Sequence, residues 1–143
     1  QSNRERYEGF CQALADAGKK VDSSLCLTTP LGIDTYREEI DTFLSSLSRM
    51  PDAFVCASDY VACILMQLLE KRGLRVPEDV AVSGFDNNTE DLLAEHLTTV
   101  QVFNEELGAR LALQILYRIK YPNTPHEITY LGTNVLYRDS TGD

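Results

Sequence analysis

Basic side chains are scarce in this sequence. Its 143 residues carry 13 Lys and Arg against 22 Asp and Glu, a formal net charge of −9 and a pI near 4.6. That balance repels a polyanion, because phosphate contacts need Lys or Arg, and no basic cluster is longer than Lys19-Lys20. Nucleic acid is therefore excluded as a direct partner of this polypeptide. Long apolar runs are missing too. The longest, Val61-Ala62-Cys63-Ile64-Leu65-Met66, falls far short of the roughly 18 residues of a membrane span and reads as a buried helix segment. No membrane partner is expected. The opening Gln-Ser-Asn-Arg-Glu-Arg has no apolar signal-peptide core.

Metal and disulfide frameworks are equally absent. The four cysteines (Cys11, Cys26, Cys56 and Cys63) form no C-x-x-C pair, and only His96 and His126 are available to complete a zinc site. Each cysteine has apolar neighbours, as in Val55-Cys56-Ala57, which predicts reduced, buried thiols in a cytoplasmic protein. The phosphate loop, the dinucleotide glycine pattern, the nucleophile elbow and the H-E-x-x-H zinc signature are all lacking. The run Asp86-Asn87-Asn88-Thr89-Glu90-Asp91 opens like a calcium loop, but Asp91 stands at the sharp-turn glycine and Leu97 at the bidentate glutamate. The sequence thus predicts no cofactor, no metal and no catalytic residue.

What is present is a regular alternation of periods. Tyr7, Phe10, Leu14 and Ala17 recur at helical spacing before Gly18, and Tyr36, Ile40, Phe43, Leu44 and Leu47 mark a second helix ended before Pro51. Leu25-Cys26-Leu27 is a short strand candidate. Ala53-Phe54-Val55-Cys56-Ala57 is a continuous apolar run, as expected of a parallel strand covered on both faces. Ser58 can cap a third helix over about 59–72, closed by Gly73. Residues 80–85 read as a strand, a short helix is possible to about Glu95, and Leu97-Thr98-Thr99-Val100 is β-prone. Asn104 can cap a long helix to about Lys120, and residues 128–137 read as a last strand. The fold class that follows is α/β: an open, mainly parallel sheet with helices on both faces.

In such sheets ligands bind beyond the carboxyl ends of the strands. The loop 28–32, Ser58-Asp59 and Asp86-Asn87 lie there. Asp86 fits two readings: a cap or turn residue, or an acceptor for two hydroxyls of a polar ligand. Capping alone could likewise account for Ser58 and Asp59.

The stretches PDAFVCASDYVA (51–62) and GLRVPEDVAVSGFDN (73–87) resemble the lactose/galactose-repressor (LacI/GalR) family. Leu97-Thr98-Thr99-Val100 follows at the family's distance, Tyr137-Arg138-Asp139-Ser140-Thr141 is similar to its closing motif, and RERYEGF (4–10) with Ala13-Leu14 is similar to its R-x-x-G-F helix. The resemblance covers nearly the whole chain. It implies one lobe, the carboxy-terminal one, of a type I periplasmic-binding-protein-like module, with residues 1–102 and 127–140 in the lobe and helix 104–120 packed on a first lobe that is missing here. The implied function is to sense a small-molecule effector, a sugar or sugar derivative, that controls the DNA affinity of a separate amino-terminal domain.

By the same resemblance Arg6 matches the effector-binding arginine and Asp86 the ligand aspartate after the glycine–aromatic pair, although the residues alone also allow Arg6 as a solvated helix charge. Ser58 stands where many members carry Asn. The loop at Pro30 and Leu31 lacks the aromatic ring that often stacks on the sugar, and Val102 replaces a polar residue, so the effector is expected to be less polar than a free hexose or contacted differently. A transport-associated sugar-binding protein and a small α/β hydrolase are the competing functions. The resemblance further implies a homodimer, and the apolar set Val61, Ile64, Leu65, Leu68 and Leu69 suggests a two-fold contact through the third helix, including Cys63. Leu107, Leu111 and Ile115 form one apolar stripe of the long helix. Without a first lobe that stripe is expected to fold back onto the sheet or exchange with a neighbouring chain.

Overall fold

The computed structural model describes residues 2–142 apart from Pro30, Leu31, Ile33 and residues 89–91, with the side chains of Ser2 and Leu92 also undescribed. Among the described residues the elements are α1 Ser2–Asp16, α2 Tyr36–Ser46, β1 Ala53–Val55, α3 Asp59–Lys71, β2 Ala81–Ser83, β3 Thr99–Gln101, α4 Asn104–Lys120 and β4 Asn134–Leu136. Three 3-10 turns, Ser23–Leu25, Leu92–His96 and Asp139–Thr141, join them.

β1, α3 and β2 form a βαβ unit in which Phe54 pairs in parallel with Val82. Isolated parallel bridges, Ser83 with Thr98 and Asp86 with Gln101, carry the ladder from β2 to β3. β4 then runs antiparallel to β3, with Val100 opposite Val135. The spatial order is β1-β2-β3-β4, mainly parallel, as the alternation predicted.

α3 is the centre of the core. The Ser58 hydroxyl accepts from the Val61 N–H and starts the helix. At the other end Gly73 takes φ +74°, where its N–H reaches the Glu70 carbonyl and Leu74 reaches Leu69. That is a Schellman stop, which a side chain at Gly73 would strain. Between these ends Ala62, Cys63, Ile64, Leu65, Leu68 and Leu69 are buried with Ile40 and Leu44 of α2, Val80 before β2 and Val82 within it, and Ala94 and Leu97. Burial of each Leu or Ile contributes roughly 1.5–3 kcal/mol relative to exposure. Arg72 locks the two helices, pairing with Asp41 at 2.7 Å and donating to the Ser45 hydroxyl.

Several expectations need correction. Leu25 ends a 3-10 turn capped by the Asp22 carboxylate, and Cys26 is extended but in no ladder among the described residues, so no strand forms at 25–27. β1 is not covered on both faces: Val55 is 64% exposed. Asn104 is the first residue of α4, not its cap, and no side-chain cap bond forms at Phe103. The last strand shrinks to three residues, leaving Ile128 and Tyr130 exposed. α3 offers no second apolar side for a partner helix, because both are used within this chain, and Cys63 is in the core. Nor does α4 fold back onto the sheet. Leu107, Leu111 and Ile115 are 49%, 60% and 52% exposed, and α4 has no buried residue. It is tied to its own return segment, where Arg118 donates to the carbonyls of Thr124 and Pro125.

Candidate functional site

The half-buried face of α1 runs through Arg6, Phe10, Cys11 and Leu14. Phe10 and Leu14 are apolar anchors, and four-residue spacing puts Arg6 on the same face. Arg6 is therefore turned inward, not solvated as a helix-surface charge. Its guanidinium lies 3.6 Å over the Phe85 ring, a cation–π contact. One Nη donates to the Ala57 carbonyl at the end of β1, and the other is 3.4 Å from the Asp86 carboxylate just beyond β2. The helix thus reaches across the carboxyl edge of β1 and β2, where the crevice rule places a ligand.

Asp86 sits in that position through an unusual backbone. Its φ is +109° and that of Asn87 is +53°, in the left-handed half of conformational space that costs an ordinary residue unless neighbours hold it. The Asp86 N–H donates to Val100 at 3.0 Å. The Asn87 side-chain oxygen accepts from Arg138 at 2.7 Å, and the Asn87 and Asn88 amides donate to Thr99 Oγ1 and Asp59 Oδ2. Desolvation pushes the Asp86 carboxyl above the usual carboxylate range, Arg6 draws it back, and the nearby Asp59 carboxylate pushes it up again.

Of the sequence-predicted residues, Arg6 and Asp86 come together. Ser58 lies one residue beyond the Ala57 carbonyl that Arg6 holds, with its hydroxyl engaged as a cap. Val102 follows Gln101, the bridge partner of Asp86, at the same edge of the sheet, half-buried and without a polar side chain to offer. Leu31 lies outside the described residues.

Sequence reasoning missed Phe85 as the ring under Arg6, and Arg138 as the clamp on Asn87. Arg138 also donates to the carbonyls of Ala94 and Leu97, each at 2.9 Å. It stands in the closing Tyr137-Arg138-Asp139-Ser140-Thr141 run, so the signal was in view. Ser140 of the same run is also spent inside: its Oγ bridges the Thr98 N–H and the Val82 carbonyl.

The arrangement offers a ligand a fork of guanidinium donors and a carboxylate acceptor on an open ledge, while the amides of Asp86, Asn87 and Asn88 are spent on Val100, Thr99 and Asp59. Vicinal hydroxyls match that set, with one oxygen taking a guanidinium N–H and a neighbouring O–H donating to the carboxylate. Among the described residues no nucleophile–base pair joins the ledge and no cluster of metal-ligating side chains occurs. A groove of about 340 Å³ lies elsewhere, between α4 and the segment after it, and is lined by Leu107, Leu111, Tyr117, Pro125 and His126 among others.

The periplasmic binding protein-like domain family matches residues 1–141. The HTH-type transcriptional regulator DegA of Bacillus subtilis is 35% identical over 107 residues, covering 74% of this chain and 31% of DegA. The HTH-type transcriptional regulator CelR of Thermobifida fusca is 34% identical over 142 residues, covering 95% of this chain and 40% of CelR. Among solved structures, a complex of the transcriptional regulator CelR with cellobiose superposes with a TM-score of 0.84 at 31% identity, over 95% of this chain and 42% of that one. The chain spans less than half the length of each of these proteins.

Proposed function

Because this chain belongs to the periplasmic binding protein-like family, in the branch formed by LacI/GalR-type regulators, we propose that it is the effector-sensing lobe of a DNA-binding transcriptional regulator. The effector is a small polyhydroxylated molecule of the carbohydrate class. It is held by Arg6 and Asp86, with Ser58 and Val102 at the rim, and closed over by a first lobe. The observation that carries this reading is the meeting of Arg6 with Asp86 at the carboxyl edge of the sheet, 3.4 Å apart. The relatives named above are regulators, not enzymes, and CelR has been captured with cellobiose, which supports the class of ligand.

Two partners belong to the same proposal. With a net charge of −9 this lobe is a poor match for phosphates, so DNA is read by a separate amino-terminal domain, in the cytoplasm. α4, apolar and open along its length, is the surface on which the first lobe packs. The homodimer uses surfaces outside the described core of α3.

The test uses the intact regulator. Operator affinity is measured with and without cellobiose and a panel of other mono- and disaccharides, for the native protein and for Asp86→Ala. The expected result is a sugar-dependent change of affinity in the native protein that Asp86→Ala abolishes while sugar-free operator binding persists. Undiminished sugar dependence in Asp86→Ala would overturn the site.

A further inference from the structure

The geometry points to Asp59 as the positioning residue of this site: its buried carboxylate holds the turn that presents Asp86 to Arg6. Asp59 is 2% exposed, and no Lys or Arg pairs with it among the described ion pairs. A buried carboxylate in that state is costly unless its oxygens are satisfied by donors. Here both are. Oδ2 accepts the Asn88 amide at 2.7 Å, and Oδ1 accepts the Thr99 hydroxyl at 2.6 Å. Thr99 Oγ1 accepts the Asn87 amide at 3.3 Å in turn. One carboxylate therefore fixes two consecutive amides of the turn, directly at Asn88 and through Thr99 at Asn87. Those amides belong to and follow the left-handed residues Asp86 and Asn87, whose conformation needs external support.

Gly84 supplies the space for this. A Cβ there would stand 2.1 Å from Asp59 Oδ1 and 3.1 Å from its Cα, so the glycine before Phe85 is required by the carboxylate packed against it. The Asp59 N–H also donates to the Phe85 carbonyl at 2.9 Å, tying the start of α3 to the residue whose ring underlies Arg6.

The competing role for Asp59 is generic, since it is the first residue of α3 and a negative charge there favours the helix. The two roles respond differently to Asp59→Asn. An asparagine lacks the charge, yet its amide oxygen can accept the Asn88 N–H while its NH2 donates to Thr99 Oγ1. An alanine can do neither.

The inference rests on the proposed sensing role, and the experiment separates the two. Backbone amide exchange is followed by NMR in this chain, in Asp59→Asn, Asp59→Ala and Gly84→Ala, with the α3 amides of Leu65 and Leu69 as internal reference. The same substitutions in the intact regulator are also titrated with cellobiose. Asp59→Ala and Gly84→Ala should lose roughly tenfold or more of the protection at Asn88 relative to the reference, the effect expected on losing a hydrogen bond to a charged acceptor, and Asp59→Asn should recover most of it. Cellobiose affinity should follow the same order. Unchanged Asn88 protection in Asp59→Ala, or loss confined to α3 with no rescue by Asn, would overturn the positioning role. If the intact native regulator fails to take up cellobiose, that ligand is wrong for the site, and the exchange data still decide the role of Asp59.

Discussion

Arg6 and Asp86, 80 residues apart in sequence, meet at 3.4 Å above the carboxyl edge of the sheet. The contact is longer than the 2.7–2.9 Å typical of a charge-assisted hydrogen bond, and the guanidinium divides itself among Asp86, the Ala57 carbonyl and the Phe85 ring. A pair so shared is easily entered by a ligand oxygen. It also leaves Asp86 incompletely compensated for its desolvation.

That imbalance predicts a pH signature. The folded-state carboxyl of Asp86 lies above its ordinary value. Its stabilising contribution is therefore full below the unfolded value, near pH ~3.9, and is lost as pH rises through the folded value. Asp86→Asn removes this loss. Thermal melts should show the variant at least as stable as the native chain at pH 7, with the two converging toward pH 3. A native chain that gains on the variant as pH rises would contradict the assignment.

A second signature lies at the acid end. Asp79 is held down to about 2 by hydrogen bonds from the Arg75 guanidinium and the Arg75 N–H. A depressed carboxyl contributes stability above its unfolded value that disappears as pH falls through the folded one. Asp79→Asn should flatten the acid melting curve between pH ~4 and about 2 and leave the Asp86 signature untouched.

Arg138 offers a test by denaturant. Its guanidinium satisfies the carbonyls of Ala94 and Leu97 and the Asn87 side chain. Arg138→Met should cost about 2–4 kcal/mol of unfolding free energy, since each buried acceptor left without a donor costs about 1–3 kcal/mol. Its neighbour Tyr137 is 80% exposed, and Tyr137→Ser should stay within about 0.5 kcal/mol.

The helices divide the same way. Leu69, fully buried in α3, should cost about 2–5 kcal/mol as Leu69→Ala. Leu116, 63% exposed on α4, should be near neutral in stability as Leu116→Gln, yet should reduce self-association of the chain in sedimentation, because it shrinks an uncovered apolar face.

Periodicity and capping made most of the architecture readable. The Ser58 cap, the Gly73 stop and the apolar run of α3 all specify local geometry and were found where expected. Tertiary partners were less accessible. Leu25-Cys26-Leu27 has a strand's composition, but the Asp22 carboxylate caps a turn across its start. Residues 128–131 have a strand's composition as well, yet lie outside any ladder among the described residues. The stripe on α4 pointed to burial against the sheet, and that expectation failed: Leu107, Leu111 and Ile115 stay about half exposed.

The site was legible to the extent that it follows strand ends. Asp86 stood out as a carboxylate after an apolar strand, and Arg6 through its motif. The roles of Asp59, Thr99 and Arg138 depend on contacts across 29 to 51 residues of sequence, which no local pattern encodes. Asp59 in particular looks in sequence like an ordinary first-turn acid.

The central claim, that the Arg6–Asp86 ledge takes a carbohydrate-class effector, is most directly tested by a cellobiose titration of the isotope-labelled intact regulator followed by NMR. Saturable shifts centred on Arg6, Phe85, Asp86 and Gln101, lost in both Arg6→Ala and Asp86→Ala, are the predicted result. Saturable shifts centred instead on the groove between α4 and residues 124–131, or binding that survives both substitutions, would contradict it.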